Sequence, residues 1–234
     1  MSPREKTFDK AAVVAAAIKI VREKGWESLT ARAVADELKA SVAPVYSTFG
    51  SMEALEREIL QEARRLLHES TTIAYTEGTF LNIGVGMVVF AREENHLFAA
   101  LFHTRHNHSD IVDAVFASIL ERMKADEMLK LLPEASLERL LLNIGTYTLG
   151  LAASIVYGRN LDPSTENIIE NLKNAGNMMI FGEVSGIADS ESPDNDREWA
   201  RIIREKNIVL PEPPNQYCGP TSSDSPVDTK KETK

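Results

Sequence analysis

Apolar residues recur along most of this chain at the three-to-four-residue step of an α-helix, and no stretch alternates with the two-residue step of a strand. Val13, Ala16, Ala17, Ile20 and Val21 mark the inner stripe of a first helix over 9–24. Asp9 is placed to cap it, Phe8 to staple it, and Gly25 to end it, with Trp26 and Leu29 folding back across the turn. A second helix, capped by Thr30, is expected to run to about 38 and to bury Ala31, Val34, Ala35 and Leu38. A third, capped by Ser41, runs to about 49 with Val45, Tyr46 and Phe49 inward. Pro44 falls in its first turn, where a missing N–H costs little. Ser51 caps a fourth helix, which continues through Leu55, Ile59, Leu60 and Ala63 to about 70. Further helices are expected near 79–92, 95–103, 109–131, 136–157 and 164–184, the last three separated by Pro133 and Pro163. A short one is expected from Ser192 through Trp199 and Ile203. From Pro211 the chain is rich in Pro, Ser, Thr and charge and cannot bury enough apolar surface to order itself. The expectation is an all-α protein: a three-helix unit at 1–50, a helical bundle at 51–206 and a flexible tail at 207–234.

Composition narrows the class. A hydrophobic share of 43 % supports a sizeable core. The single cysteine, Cys218, excludes an internal disulfide framework and a multi-cysteine zinc site, and fits a reducing compartment. The polar N-terminus does not read as a signal peptide. No apolar run reaches the roughly 18–20 residues of a membrane span, the longest candidate being 81–91, so a cytoplasmic protein without a membrane partner is expected. The net charge of −9 is unevenly spread. Residues 1–50 hold 8 Lys and Arg against 6 Asp and Glu, and the remainder 18 against 29. An acidic body with a mildly basic head suits a protein that offers one end to phosphates. Catalysis is not expected: there is no Gly-rich phosphate loop after a strand and no G-x-S-x-G, Cys218 falls in the tail, and Glu37, Glu93 and Glu94 read as solvated helix charges.

The most directive stretch is 29–55, LTARAVADELKASVAPVYSTFGSMEAL. It reads as two short helices joined by a tight turn with a third opening behind them, the layout of a helix-turn-helix. Ala35, Ala40 and Val45 supply the small or aliphatic inward positions, while Val42, Ala43, Pro44, Ser47 and Thr48 face outward. The N-terminal amides of the second helix of the pair can also meet a phosphate. Residues 8–60, with an Ala-rich first helix ending in EKGWESLT, then VADEL, then SVAPVYSTFGSMEAL, resemble the N-terminal domain of the TetR/AcrR family of bacterial transcriptional regulators. The resemblance covers about a quarter of the chain. It implies a DNA-binding head on a divergent helical ligand-binding and dimerisation domain, with Thr30 and Ser41 capping helices beside the DNA backbone. It implies that Tyr46 donates to a phosphate and that residues 42–44, 47 and 48 face bases or phosphates. The sequence departs from the family pattern at Lys39, where glycine is usual in the turn. It departs also at Val42, Thr48 and Met52, where polar or basic residues are common. The reading helix carries no Arg or Lys. Base contacts then fall to thymine methyl groups against Val42, Ala43 and Pro44 and to the hydroxyls of Ser47 and Thr48. Phosphate affinity falls to Arg4, Lys6, Lys10, Arg32, Lys39 and Tyr46.

The body has no motif of its own. Gly145, Thr148 and Ala152, beside Thr146, Gly150 and Ala153, form small-residue stripes that permit close helix approach. Ile168, Leu172, Ala175, Gly176 and Met179 form a second stripe. Two such helices from each of two chains would build a four-helix homodimer interface, and two-fold symmetry then requires a palindromic operator in double-stranded DNA. Met87, Phe90, Phe98, Phe102, Met123, Tyr147 and Leu151 are candidates to line an apolar cavity for a small-molecule inducer, with Asn143 or His103 as the orienting polar contact. No cofactor is expected. His103, His106 and His108 with Asp110 have the residue types of a divalent-metal site, or else form a polar loop in which Ser109 or Asp110 caps the next helix. Two functions follow: a ligand-responsive repressor, or a helical small-molecule or metal-binding protein whose head no longer reads DNA.

Overall fold

The computed structural model describes residues 8–104, 107–159 and 162–188. Arg4, Lys6, His106, the expected helix at 192–203, Cys218 and the tail lie outside the described residues. Within them the chain forms α1 (Lys10–Lys24), α2 (Ala31–Leu38), α3 (Ala43–Phe49), α4 (Met52–Thr72), α5 (Thr79–Glu93), α6 (Asn95–Phe102), α7 (Ser109–Ala125), α8 (Glu134–Val156) and α9 (Thr165–Ala188), with 3₁₀ turns at Trp26–Ser28 and Leu129–Leu131. No strand occurs among the described residues, so the fold is all-α, with a helix-turn-helix head followed by a helical bundle.

Local chemistry sets the head's boundaries. The Asp9 side chain accepts from Ala12 N–H, Thr30 from Ala33 N–H and Ser51 from Ala54 N–H, each satisfying one of the orphan donors at a helix start. Gly25, at φ +83°, ends α1. The start of α3 differs from expectation: Val42 is its cap residue, and Ser41 Oγ accepts only a long bond of 3.4 Å from Ala43 N–H. The core of the head is Val13, Ala17, Val21, Val34 and Val45, all fully buried. Tyr46, expected inward, is 49 % exposed. Of α3, Val45 is fully buried and Phe49 packs half-buried against the core.

Helix α4 joins the two halves. It packs on α1 and α3 in the head and on α5, α6 and α7 in the body through Leu55, Ile59, Leu60, Ala63 and Leu67. Each of the four large aliphatic side chains among these contributes roughly 1.5–3 kcal/mol relative to exposure. The head is also tied to the body by α1, where Arg22 makes a bidentate pair with Glu94 at 2.8 and 2.6 Å and its carbonyl meets His96 Nδ1 at 2.8 Å. The loop after α4 is organised by buried Asn82, which accepts from Thr76 N–H and Oγ1–H and donates to Thr76 O. At Gly86 the backbones of α4 and α5 touch so closely that a Cβ there would lie 2.3 Å from Ser70 O. Ser70 Oγ donates to Gly86 O across the same contact at 2.8 Å.

The expected helix at 109–131 is two elements. Asp126 ends α7 in an extended conformation, and its carboxylate accepts from Met128 and Leu129 N–H, a local turn that competes with helix continuation. Helix α8 starts at Glu134, directly after Pro133 and two residues earlier than expected. It is also long and apolar enough, by length and composition, to cross a membrane, with a mean hydropathy of 1.3 over one window, although the sequence showed no uninterrupted apolar run. Only 17 % of that window is buried within the chain.

Candidate nucleic-acid interface and body cavities

The turn between α2 and α3 determines how the second helix is presented. Lys39 takes the left-handed conformation at φ 52°, ψ 48°, and is the single non-glycine residue with positive φ among the described residues. Ala40 N–H reaches back to Ala35 O at 2.9 Å and Lys39 N–H to Asp36 O at 3.1 Å, the paired bonds of a Schellman turn. The position where the family usually has glycine is therefore a left-handed one filled by lysine. Relief of the left-handed cost, about 1–2 kcal/mol, outweighs the extra backbone entropy of glycine, about 0.5–1 kcal/mol. Lys39→Gly is expected to raise stability by roughly 0.5–1 kcal/mol in chemical denaturation. A destabilised Lys39→Gly protein would show that the turn is held some other way.

Beyond this turn α3 presents Val42, 42 % exposed, with exposed Ala43, Tyr46 and Ser47 and half-buried Pro44 and Thr48. Ser47 Oγ donates to Pro44 O at 3.3 Å and keeps lone pairs facing out. Nothing among the described residues hydrogen-bonds the Tyr46 hydroxyl. Thr30, Arg32, Lys39 and Ser41 are exposed around the same end of the head. The cations of the head are not equally available. Lys10 pairs with Glu58 at 2.7 Å and lies 5.9 Å from the Phe49 ring centroid. Lys19 pairs with Glu37 at 2.6 Å, a hydrogen bond that raises the ammonium pKa and holds the Glu37 carboxylate below its usual range. Arg32 and Lys39 have no ion-pair partner among the described residues, so their charges are uncommitted. Glu93 and Glu94 are ion-paired with Arg92 and Arg22.

The nine candidate ligand residues do not line one cavity. Phe90, Phe98 and Met123 are buried in the continuous core. Phe102 stacks on Phe98 at 5.0 Å between centroids and meets Phe116 at 6.3 Å. His103 stands edge-on to Phe98 and stacks on Tyr157, whose hydroxyl lies 3.2 Å from His103 Nδ1. Tyr147 and Leu151 pack against the core from α8. Asn143 is exposed on the outer face of α8 and cannot orient a molecule inside. Met87 alone of the nine borders one of the three cavities described below. No group of three or more His, Cys, Asp or Glu side chains is placed to hold a metal among the described residues. Asp110 pairs with Arg57, which holds its carboxyl below the usual range, and the residue before α7 is buried His108 rather than Ser109 or Asp110.

Cavities open in the body, and three bear on function. The first, about 310 Å³, lies between α4 and α7 with Met87 of α5 beside it, and is bordered by Leu67, Thr71, Ile119 and Arg122. The second, about 500 Å³, is mostly apolar and is walled by the loop before α5 and its first turn, residues 126–132 and α9. The third, about 90 Å³, adjoins it around Gly84 and Gly176. Arg122 escaped the sequence reading, yet it left a signal: it follows Ile111, Val115 and Ile119 at helical spacing, a cation on an apolar stripe.

The geometry defines a class: a helix-turn-helix domain set on an all-helical, cavity-bearing body. Residues 13–59, the head of this chain, match the family model described as bacterial regulatory proteins, tetR family. A TetR from Acinetobacter baumannii AYE, solved in complex with minocycline, aligns over 86 % of this chain and 99 % of its own, at 16 % identity and a TM-score of 0.47. No curated protein is matched.

Proposed function

We propose that this chain is a homodimeric, ligand-responsive repressor that binds a palindromic operator and leaves it when a small molecule occupies the body. The observation that carries this reading is the presentation of α3: its 42–48 surface is open while the Schellman turn at Lys39 fixes its angle to α2. Val42, Ala43 and Pro44 meet thymine methyl groups, Ser47 and Thr48 meet base edges, and Arg32, Lys39, Tyr46, Thr30 and Ser41 meet phosphates. Residues 1–50 act as the head and 51–206 as the effector and dimerisation half. An operator on the chromosome makes the protein cytoplasmic, and it needs neither cofactor nor catalysis.

The dimer face follows from what the body leaves uncovered. Thr148, Ala152, Ile168, Leu172 and Ala175, expected at the interface, are instead buried within the chain where α8 and α9 pack on α5 and on each other. The neighbouring faces are open: Leu142 is 68 % exposed, Tyr157 61 % and Met178 52 %, and nothing lies within 4 Å of a Cβ placed at Gly150 or Gly182. A second copy laid on these two helices covers the apolar length of α8. Effector binding acts by preferring a body conformation in which the two heads no longer fit successive major grooves.

Binding to a duplex from the gene's own upstream region, followed by fluorescence anisotropy over a salt series, tests the DNA-reading role. Arg32→Ala should lower the magnitude of the log–log salt slope by about 2, one phosphate lost per head in a dimer. Tyr46→Phe should weaken binding by about 5–30-fold while leaving the fold intact. An unchanged slope and affinity would remove both residues from the interface. The absence of Lys and Arg from α3 favours a second reading, a helical ligand-binding protein whose head has lost DNA recognition. Weak binding of equal strength to all duplexes would select it.

A further inference from the structure

Arg122 differs from its neighbours. Arg57, Arg65, Arg92 and Arg139 each pair with a carboxylate, from Asp110, Glu62, Glu93 and Glu183 respectively. Arg122 is half-buried and has no carboxylate partner among the described residues. Its Nη1 donates to Thr71 Oγ1 at 2.9 Å and its Nη2 to Thr71 O at 2.6 Å, leaving three of the five guanidinium donors unused. Burial pushes its pKa below the ordinary value, although a guanidinium stays charged. Bracing the C-terminal turn of α4 at Thr71 uses two donors. It does not explain why a chain with 35 acidic residues leaves this partly desolvated cation without a carboxylate among the described residues.

The cavity beside it supplies the reason. Its volume of about 310 Å³ is at the lower end of the range for small-molecule sites. Its lining holds no Asp or Glu. Leu67, Met87, Val115 and Ile119 make a buried apolar wall. Arg64 and His68 line the α4 side, and Arg64 has no ion-pair partner among the described residues. A planar fork of donors beside a hydrocarbon wall is complementary to a molecule with one carboxylate and a short apolar body.

We propose that the effector is a small monocarboxylic acid, its carboxylate held by Arg122 and its hydrocarbon part by Leu67, Met87 and Ile119. This rests on reading the body as the effector-binding half of a regulator. The position also couples to the head. Arg122 already grips Thr71, next to the residue whose backbone meets Gly86, so an anion competing for the guanidinium acts at the joint between α4 and α5.

The test uses the full chain and titration calorimetry with benzoate and hexanoate, their neutral amides benzamide and hexanamide, and inorganic phosphate. The carboxylates should bind at least 10-fold more tightly than the amides and than phosphate. Arg122→Gln should remove that preference, and Arg122→Lys should retain part of it. The charge preference is read on the unaltered protein, so it stands even if Arg122→Gln fails to fold. Amides binding as well as carboxylates would overturn the proposal, as would binding of neither. Phosphate binding more tightly than either carboxylate would also overturn it, by showing a plain anion site. Sequence-selective duplex binding measured on the same preparation separates the two failures. If it persists while carboxylates do not bind, the effector class is wrong and the DNA-reading role stands.

Discussion

Gly86→Ala is expected to cost about 3 kcal/mol or more of folding stability, lowering the melting temperature by roughly 6–12 °C for a chain of this size. Alanine in an open helical position would gain up to about 1 kcal/mol over glycine. Here the added methyl would lie 2.3 Å from Ser70 O and 2.6 Å from Thr71 Cα, and both obstacles are backbone. No rotamer change relieves a backbone clash, so α4 and α5 must separate, which also strains the Ser70–Gly86 hydrogen bond and the Arg122 contacts at Thr71. Gly84→Ala on the same helix is the control. Its Cβ meets only Leu172 and Thr148 side chains at 3.5–3.8 Å, ordinary packing distances, so stability should hold or rise slightly. Equal effects of the two substitutions in thermal and urea unfolding would refute the close-contact account.

Leu142→Asp should convert the proposed dimer to a monomer. Two-fold symmetry places the substitution twice in one interface. Losing two buried leucines and desolvating two carboxylates costs about 4 kcal/mol or more, at least three orders of magnitude in the dimer Kd. Leu142 is 68 % exposed in the single chain, so the monomer's own stability should change little. Sedimentation velocity reads the association state, and operator affinity should fall with it because one head alone makes half the contacts. A Leu142→Asp protein that remains dimeric would place the interface elsewhere and would leave the exposed length of α8 in need of another explanation.

How far the sequence guided this outcome depends on how local each feature is. The boundaries at Asp9, Gly25, Thr30 and Ser51 were legible almost to the residue, because the three caps act within three positions of themselves and Gly25 carries its own conformational preference; the start of α3 and the outward turn of Tyr46 were not. Lys39 shows the same locality from the other side. Its left-handed conformation is required by the Schellman bonds around it, and the usual glycine marked the place even though this chain has another residue there. Helix α7 was overextended because Met128, Leu129, Leu131 and Leu132 continue an apolar rhythm. The Asp126 carboxylate that captures two backbone donors is invisible to periodicity. The stripes on α8 and α9 were real, but periodicity cannot say whether a buried face meets the same chain or a second copy, and Ile168, Leu172 and Ala175 meet the same chain. The cavity was least legible. Apolar bulk pointed to Phe98 and Met123, which fill the core, whereas the open space lies between α4 and α7, a tertiary feature that periodicity does not carry. Arg122 shows as a candidate only when its stripe is compared with its charge.

In the proposed function α3 reads sequence in duplex DNA without a basic side chain of its own. Selection of bound molecules from a random duplex library by the full chain tests this reading. The expected result is enrichment of an inverted repeat whose half-sites are centred about one helical turn apart, with thymines at the positions facing Val42, Ala43 and Pro44. Bound pools with no enriched motif after repeated rounds, at salt concentrations where binding is still measurable, would contradict it.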